Sequence, residues 1–98
     1  MERTNLDLAI TQFKKALRID PNYIEARKDL GYAFAKNGQI NDAISEWEKV
    51  ISSGVKDAEL HKKLGDAYAK QGNLTQASYE WKKASAVERS NGSVISDQ

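Results

Sequence analysis

The chain repeats itself with a period of 34 residues. Sliding the 98-residue sequence by 34 positions superposes Ala9, Ala43 and Ala77, then Phe13, Trp47 and Trp81, then Ala16, Val50 and Ala84. The same shift aligns Leu30-Gly31 with Leu64-Gly65, Ala33 with Ala67, and Phe34 with Tyr68. Residues 24–57 and 58–91 share 12 identities in 34 pairs, where ordinary composition would give about two or three. A fixed period of this length marks an array of like supersecondary units, and missing it would misassign the whole fold. The register continues backward into residues 1–23, the last two thirds of an earlier unit, while 92–98 fall outside it as a polar tail.

Within each unit the apolar spacing is helical. Leu6, Ala9, Ile10, Phe13, Ala16 and Leu17 recur at three- and four-residue intervals, as do Ile40, Ala43, Ile44, Trp47, Val50 and Ile51. Breaks fall at Pro21-Asn22, Asn37-Gly38, Ser53-Gly54 and Gln71-Gly72, where glycine permits the left-handed turn that ends a helix. Asn41, Asp57 and Thr75 stand where a short polar side chain caps the next helix. The spacing predicts five helices, near 5–19, 23–36, 40–53, 57–70 and 74–88. Turns this short make successive helices antiparallel neighbours.

Composition removes several functions. Fifteen Lys and Arg against fourteen Asp and Glu give a net charge of +1, without the one-sided basic excess of a nucleic-acid binder. There is no cysteine, hence no disulfide framework, thiolate nucleophile or Cys-based zinc site. A single histidine, His61, excludes a multi-histidine metal cluster. No stretch has the length and apolarity of a membrane span, and the opening residues lack the layout of a signal peptide. The expectation is a non-redox module that needs no cofactor and no metal; its compartment stays open, with the cytoplasm favoured.

The first-helix pattern reads Leu30-Gly31 then Phe34, and Leu64-Gly65 then Tyr68. The second-helix pattern reads Ala9-x3-Phe13, Ala43-x3-Trp47 and Ala77-x3-Trp81, with Pro21 closing the first unit. These residues resemble the tetratricopeptide repeat across about 91 of the 98 positions. The resemblance implies an all-α fold of antiparallel helix-turn-helix repeats stacked as a right-handed α-solenoid. Residues 1–91 would form the repeat domain. The sequence departs from the pattern where Arg27 and His61 replace a tryptophan, and where Val55 and Arg89 replace the closing proline.

Catalysis has little support. The only histidine lies where the family places a packing aromatic, so His61 reads as structural. Asp29, Glu46, Glu48, Asp66 and Glu80 read as mostly polar-face carboxylates. Gly38 and Gly72 stand alone, without the Gly-rich run and Lys of a phosphate loop. Trp47 and Trp81 occupy the repeat's packing position and read as core.

What remains is an interaction module. The resemblance implies a concave groove lined by first helices that takes a peptide or protein segment. Its side chains here would be Glu25, Lys28, Asp29, Tyr32 and Lys36, then Glu59, Lys62, Lys63, Asp66 and Lys70. The small positive balance of this set suits a partner with an acidic segment. Tyr32, with Asp29 or Lys63, stands where carboxylate-clamping relatives carry asparagines, so that clamp is not expected. A second reading is a self-assembling scaffold. The first helix carries Leu6, Leu8, Ile10, Phe13 and Leu17, an apolar edge that favours a homodimer. In the last unit the matching stripe turns polar, with Ser78 and Ser85 where Ile44 and Ile51 stand earlier.

Overall fold

Helices account for almost every residue outside the turns in the computed structural model, which describes the backbone of residues 2–96 and the side chains of 5–90. They are α1 (Glu2–Ile19), α2 (Ile24–Lys36), α3 (Ile40–Ser52), α4 (Ala58–Lys70) and α5 (Leu74–Ser96). Among the described residues there is no strand. The all-α helix-turn-helix class expected from the period therefore stands. The chain divides into two compact units, Met1–Gly54 with α1 to α3, and Val55–Gln98 with α4 and α5.

The turn chemistry repeats with the period. Gly38 and Gly72 have φ of 82° and 84°, a conformation that costs glycine nothing and strains other residues. Each lets the chain fold back on the helix it ends. Gly38 N–H donates to the Ala35 carbonyl and Gln39 N–H to the Phe34 carbonyl; Gly72 donates to Ala69 and Asn73 to Tyr68. Orphan carbonyls at both helix ends are satisfied in the same way.

Two of the three expected caps are displaced. Asp57 does cap α4, its carboxylate accepting the Leu60 N–H at 3.1 Å. Helix α3 begins at Ile40 with Gln39 at the cap position and no side-chain bond, so Asn41 lies already inside the helix. For α5 the cap is Asn73, whose Oδ1 accepts from Gln76 N–H at 3.2 Å, and Thr75 lies one residue into the helix. The last helix also runs on to Ser96, well past the expected end near 88. No proline interrupts it, and the lone Gly92 costs only about 1 kcal/mol relative to alanine. The side chains of the expected tail, 92–98, lie outside the described residues.

In the first unit Ile10, Ala26, Leu30, Ala33, Phe34, Ala43, Ile44, Trp47 and Val50 are buried. Helix α1 packs on α2 here, and the Lys14 ammonium stands 5.6 Å from the Phe34 ring centroid. Small residues let the helices approach closely. A Cβ on Gly31 would come within 2.5 Å of Trp47 Cδ1 and 2.8 Å of Cε2, so the indole occupies the space a side chain would need. In the second unit the buried apolar set is smaller: Leu60, Leu64, Ala67, Ala77 and Ala84.

Trp81 departs from its expected core position. It is seated over Gly65 as Trp47 is over Gly31, yet it is 39% exposed where Trp47 is 2%. Within its unit α5 packs on α4 alone, and the residues flanking Trp81 along the stripe, Ser78 and Ser85, are exposed.

Candidate functional site

The first helix of each repeat presents its polar side chains differently. On α2, Asp29 and Lys36 are exposed, while Lys28 and Tyr32 are half-buried. Tyr32 meets the edge of Trp47 in a T-shaped contact, with ring centroids 5.5 Å apart and planes at 65°. That geometry is favoured by the ring quadrupoles. On α4, Lys62, Lys63, Asp66 and Lys70 are exposed. Asp66 stands one period after Tyr32 and also serves the following tryptophan, accepting the Trp81 indole N–H at 3.2 Å. Trp47 instead donates to the Lys28 carbonyl at 3.2 Å. The expected groove residues Tyr32 and Asp66 are thus partly engaged in holding the second helix of their own unit.

Lys62 is engaged as well. Its Nζ lies 2.8 Å from Glu88 Oε2 on α5, with both side chains about half exposed. The hydrogen bond to Glu88, and then its charge, raise the lysine above its ordinary value of 10.5. Lys63 and Lys70 are exposed lysines of the same helix.

Beneath these surfaces lies a polar pair that sequence reasoning did not assemble. In the first unit Arg27 Nη1 donates to Glu46 Oε1 at 2.8 Å, and Nη2 donates to the Pro21 carbonyl at 2.8 Å. In the second, His61 Nδ1 lies 2.8 Å from Glu80 Oε1, and Gln76 Nε2 donates to Glu80 Oε2 at 3.3 Å. His61 and Glu80 are 5% and 4% exposed, so Glu80 is a core carboxylate and not a polar-face one; Glu46 is likewise mostly covered. A carboxylate only accepts, so the His61 ring donates from Nδ1. The signal was in the period: a cation or imidazole at 27 and 61 recurs with a glutamate at 46 and 80.

The pair is structural in its geometry. Among the described residues no group of three or more His, Asp or Glu is placed to hold a metal ion. No helix among them is long and apolar enough to cross a membrane. A recess of about 330 Å³ in the second unit is lined by Lys56, His61, Lys83, Ala86, Val87 and Ser90.

On α1 the five expected edge residues do not share one environment. Leu8 is 58% exposed, Ile10 is buried at 8%, and Leu6, Phe13 and Leu17 are half-buried. Ile19, at the end of the helix, is exposed as well.

The chain belongs to the TPR-repeat family, whose model matches residues 1–38 and 31–72. Solved structures of MamA are similar to it. One is 26% identical with a TM-score of 0.87, covering 91% of this chain and 52% of the other. A second is 26% identical with a TM-score of 0.82, covering 90% of this chain and 48% of the other. A structure of MamA MSR-1, 22% identical, has the same fold with a TM-score of 0.83 over 89% of this chain and 50% of that one. The chain spans about half the length of the solved structures it matches. No curated protein matches it in sequence. The TPR fold is that of a protein–protein interaction module, and its members are generally non-catalytic.

Proposed function

We propose that this chain is a non-catalytic adaptor that takes a partner peptide or protein segment on the first helices of its repeats, with residues 1–91 acting as the repeat domain. The side chains assigned to that task are Lys28, Asp29, Tyr32 and Lys36 on α2, and Lys62, Lys63, Asp66 and Lys70 on α4. The observation that carries the reading is family membership joined to the exposure of these helices' charged residues. Exposed lysines favour a segment bearing Asp or Glu, through an attraction that salt screens.

Titrating labelled peptides by fluorescence anisotropy tests this. Saturable binding of an Asp/Glu-rich peptide, absent for its Asn/Gln counterpart and weakened by salt and by Lys63→Glu with Lys70→Glu, supports it. Equal binding of both peptides removes the acidic preference. Lys62 is a poor choice for charge reversal, because a glutamate there would face Glu88.

The exposure of Leu8 favours a second role, self-association along α1. Leu8→Lys separates the two, since it would lower the mass seen by light scattering without altering capture of the peptide. An unchanged monomeric mass at all concentrations counts against self-association. Ile10, being buried, belongs to the unit's own core in either case.

A further inference from the structure

Helix α1 carries two different stripes on opposite sides. At roughly 100° per residue, Leu6, Ile10, Phe13 and Leu17 fall within about 60° of one another, and all four are buried or half-buried. Leu8, Gln12, Lys15 and Ile19 fall within a similar arc on the opposite side, and all four are exposed. The first stripe serves the core of the unit. The second faces solvent with two large apolar side chains at its ends.

The exposed stripe has the spacing of a two-stranded seam. Its successive intervals are four, three and four residues, close to the mean of about 3.5 that keeps one face turned toward a partner helix. Its order is apolar, polar, polar, apolar, which reads the same in both directions. Turning a second copy end for end about an axis between Phe13 and Lys14 therefore brings Leu8 onto the partner's Ile19. The same turn brings Gln12 onto the partner's Lys15, where the amide oxygen accepts from the ammonium. Lys15, Arg18 and Ile19 line a hollow at the end of the helix where the incoming Leu8 arrives.

Charge selects this orientation. Asp7 and Arg18 are exposed on one flank of the stripe, and a two-fold axis across antiparallel helices sets like flanks against each other. Arg18 then stands two residues from the level of the partner's Asp7, about 3 Å along the axis, which a guanidinium spans. Parallel pairing would instead set Lys15 against the partner's Lys15 and Arg18 against the partner's Arg18, a costly meeting of like charges. We infer that α1 pairs antiparallel with α1 of a second copy of this chain, through Leu8, Gln12, Lys15 and Ile19. This pairing rests on the self-association reading of α1 and adds its face, its partner and its register. Polar residues in a seam fix register at a cost in stability. With one helix from each copy the contact is small, and the expected Kd is on the order of 0.1–1 mM.

Because the chain has no cysteine, single introduced thiols report which positions meet. Leu8→Cys and Ile19→Cys are made separately, one of them carrying a tag that changes its size, and the two are mixed under mild oxidation. The mixed disulfide should form roughly tenfold faster than either homodimer. The antiparallel register holds the two copies of position 8 about 16 Å apart along the axis, beyond the roughly 7 Å between Cα atoms that a disulfide spans. Both replaced side chains are exposed, and circular dichroism confirms that helicity is kept. Sedimentation equilibrium gives a second readout. Leu8→Lys and Ile19→Lys should each raise the Kd by about tenfold, whereas Lys15→Leu, which makes the middle of the seam apolar, should lower it by about as much.

Two results overturn the pairing while leaving self-association of α1 standing. One is Leu8→Cys oxidising to its own dimer as fast as to the mixed one, which refutes the antiparallel register. The other is Ile19→Lys keeping the wild-type Kd while Leu8→Lys raises it, which refutes the face. A monomeric mass at every concentration, with no cross-link in any mixture, removes the self-association reading and the pairing together.

Discussion

His61 Nδ1 and Glu80 Oε1 lie 2.8 Å apart in the core of the second unit, at the positions where Arg27 and Glu46 make a 2.8 Å contact one period earlier. The glutamate is common to both, so the period preserves the acceptor and varies its donor. Burial makes the two partners unequal in the second unit. A carboxylate stranded in low dielectric is costly, whereas an imidazole is able to remain neutral.

His61→Ala should therefore destabilise the chain by roughly 3–5 kcal/mol, as loss of one partner of a buried pair does. Glu80→Gln keeps an acceptor for the ring and should cost less, about 1 kcal/mol. Urea denaturation of both variants checks this. Equal losses would mean that the carboxylate's charge, and not merely its oxygen, is needed.

The two glycines under the tryptophans should respond differently to the same substitution. A Cβ on Gly31 meets Trp47, which is 2% exposed, whereas a Cβ on Gly65 meets Trp81, which is 39% exposed. Trp81 is able to swing outward into solvent, and Trp47 has nowhere to go. Gly31→Ala should cost about 1–3 kcal/mol by overpacking. Gly65→Ala should come out near neutral, because about 1 kcal/mol of helix propensity offsets the displaced ring. Comparing the midpoints of the two variants in thermal melts decides it.

Those glycines also show how much was legible from sequence. Leu30-Gly31 and Leu64-Gly65 at matching positions, with Trp47 and Trp81 one helix later, foretell close helix approach and the seating of each ring. The depth of that seating was not legible, because it depends on what covers the outer side of α5, and the repeat pattern alone does not report it. The same limit hid the role of Glu80. A charged residue reads as surface unless its partner is known, and the partner lies nineteen residues away across a turn. The recess is further still from sequence, since only the fold brings Lys56, His61 of α4 and Lys83, Ala86, Val87 and Ser90 of α5 to one place.

Capping offers a prediction of smaller scale. Asp57 accepts the Leu60 N–H and opens α4, so Asp57→Ala should cost about 1 kcal/mol. Thr75 lies inside α5, where Asn73 performs the capping. Thr75→Ala should therefore be neutral or slightly stabilising, because alanine is the better helix former, while Asn73→Ala should behave like Asp57→Ala. Chemical denaturation of the three variants provides the check, and a loss at Thr75 equal to that at Asn73 would refute the assignment.

The pairing of Lys62 with Glu88 gives a prediction about pH with a definite sign. The folded-state value of the lysine is raised, chiefly by its hydrogen bond to Glu88 and then by the carboxylate's charge. A group raised on folding binds its proton more tightly in the folded chain. Its contribution is therefore complete below the ordinary value of 10.5 and disappears only as the pH climbs through the raised one. The stability gap between wild type and Lys62→Met should stay constant from about pH 7 to 9 and close only in strong alkali. Because the pair is exposed, added salt should narrow the gap at any of these pH values. Urea midpoints measured across that range test the assignment, and a gap that closes near neutrality would show that Lys62 does not owe its partnership to Glu88.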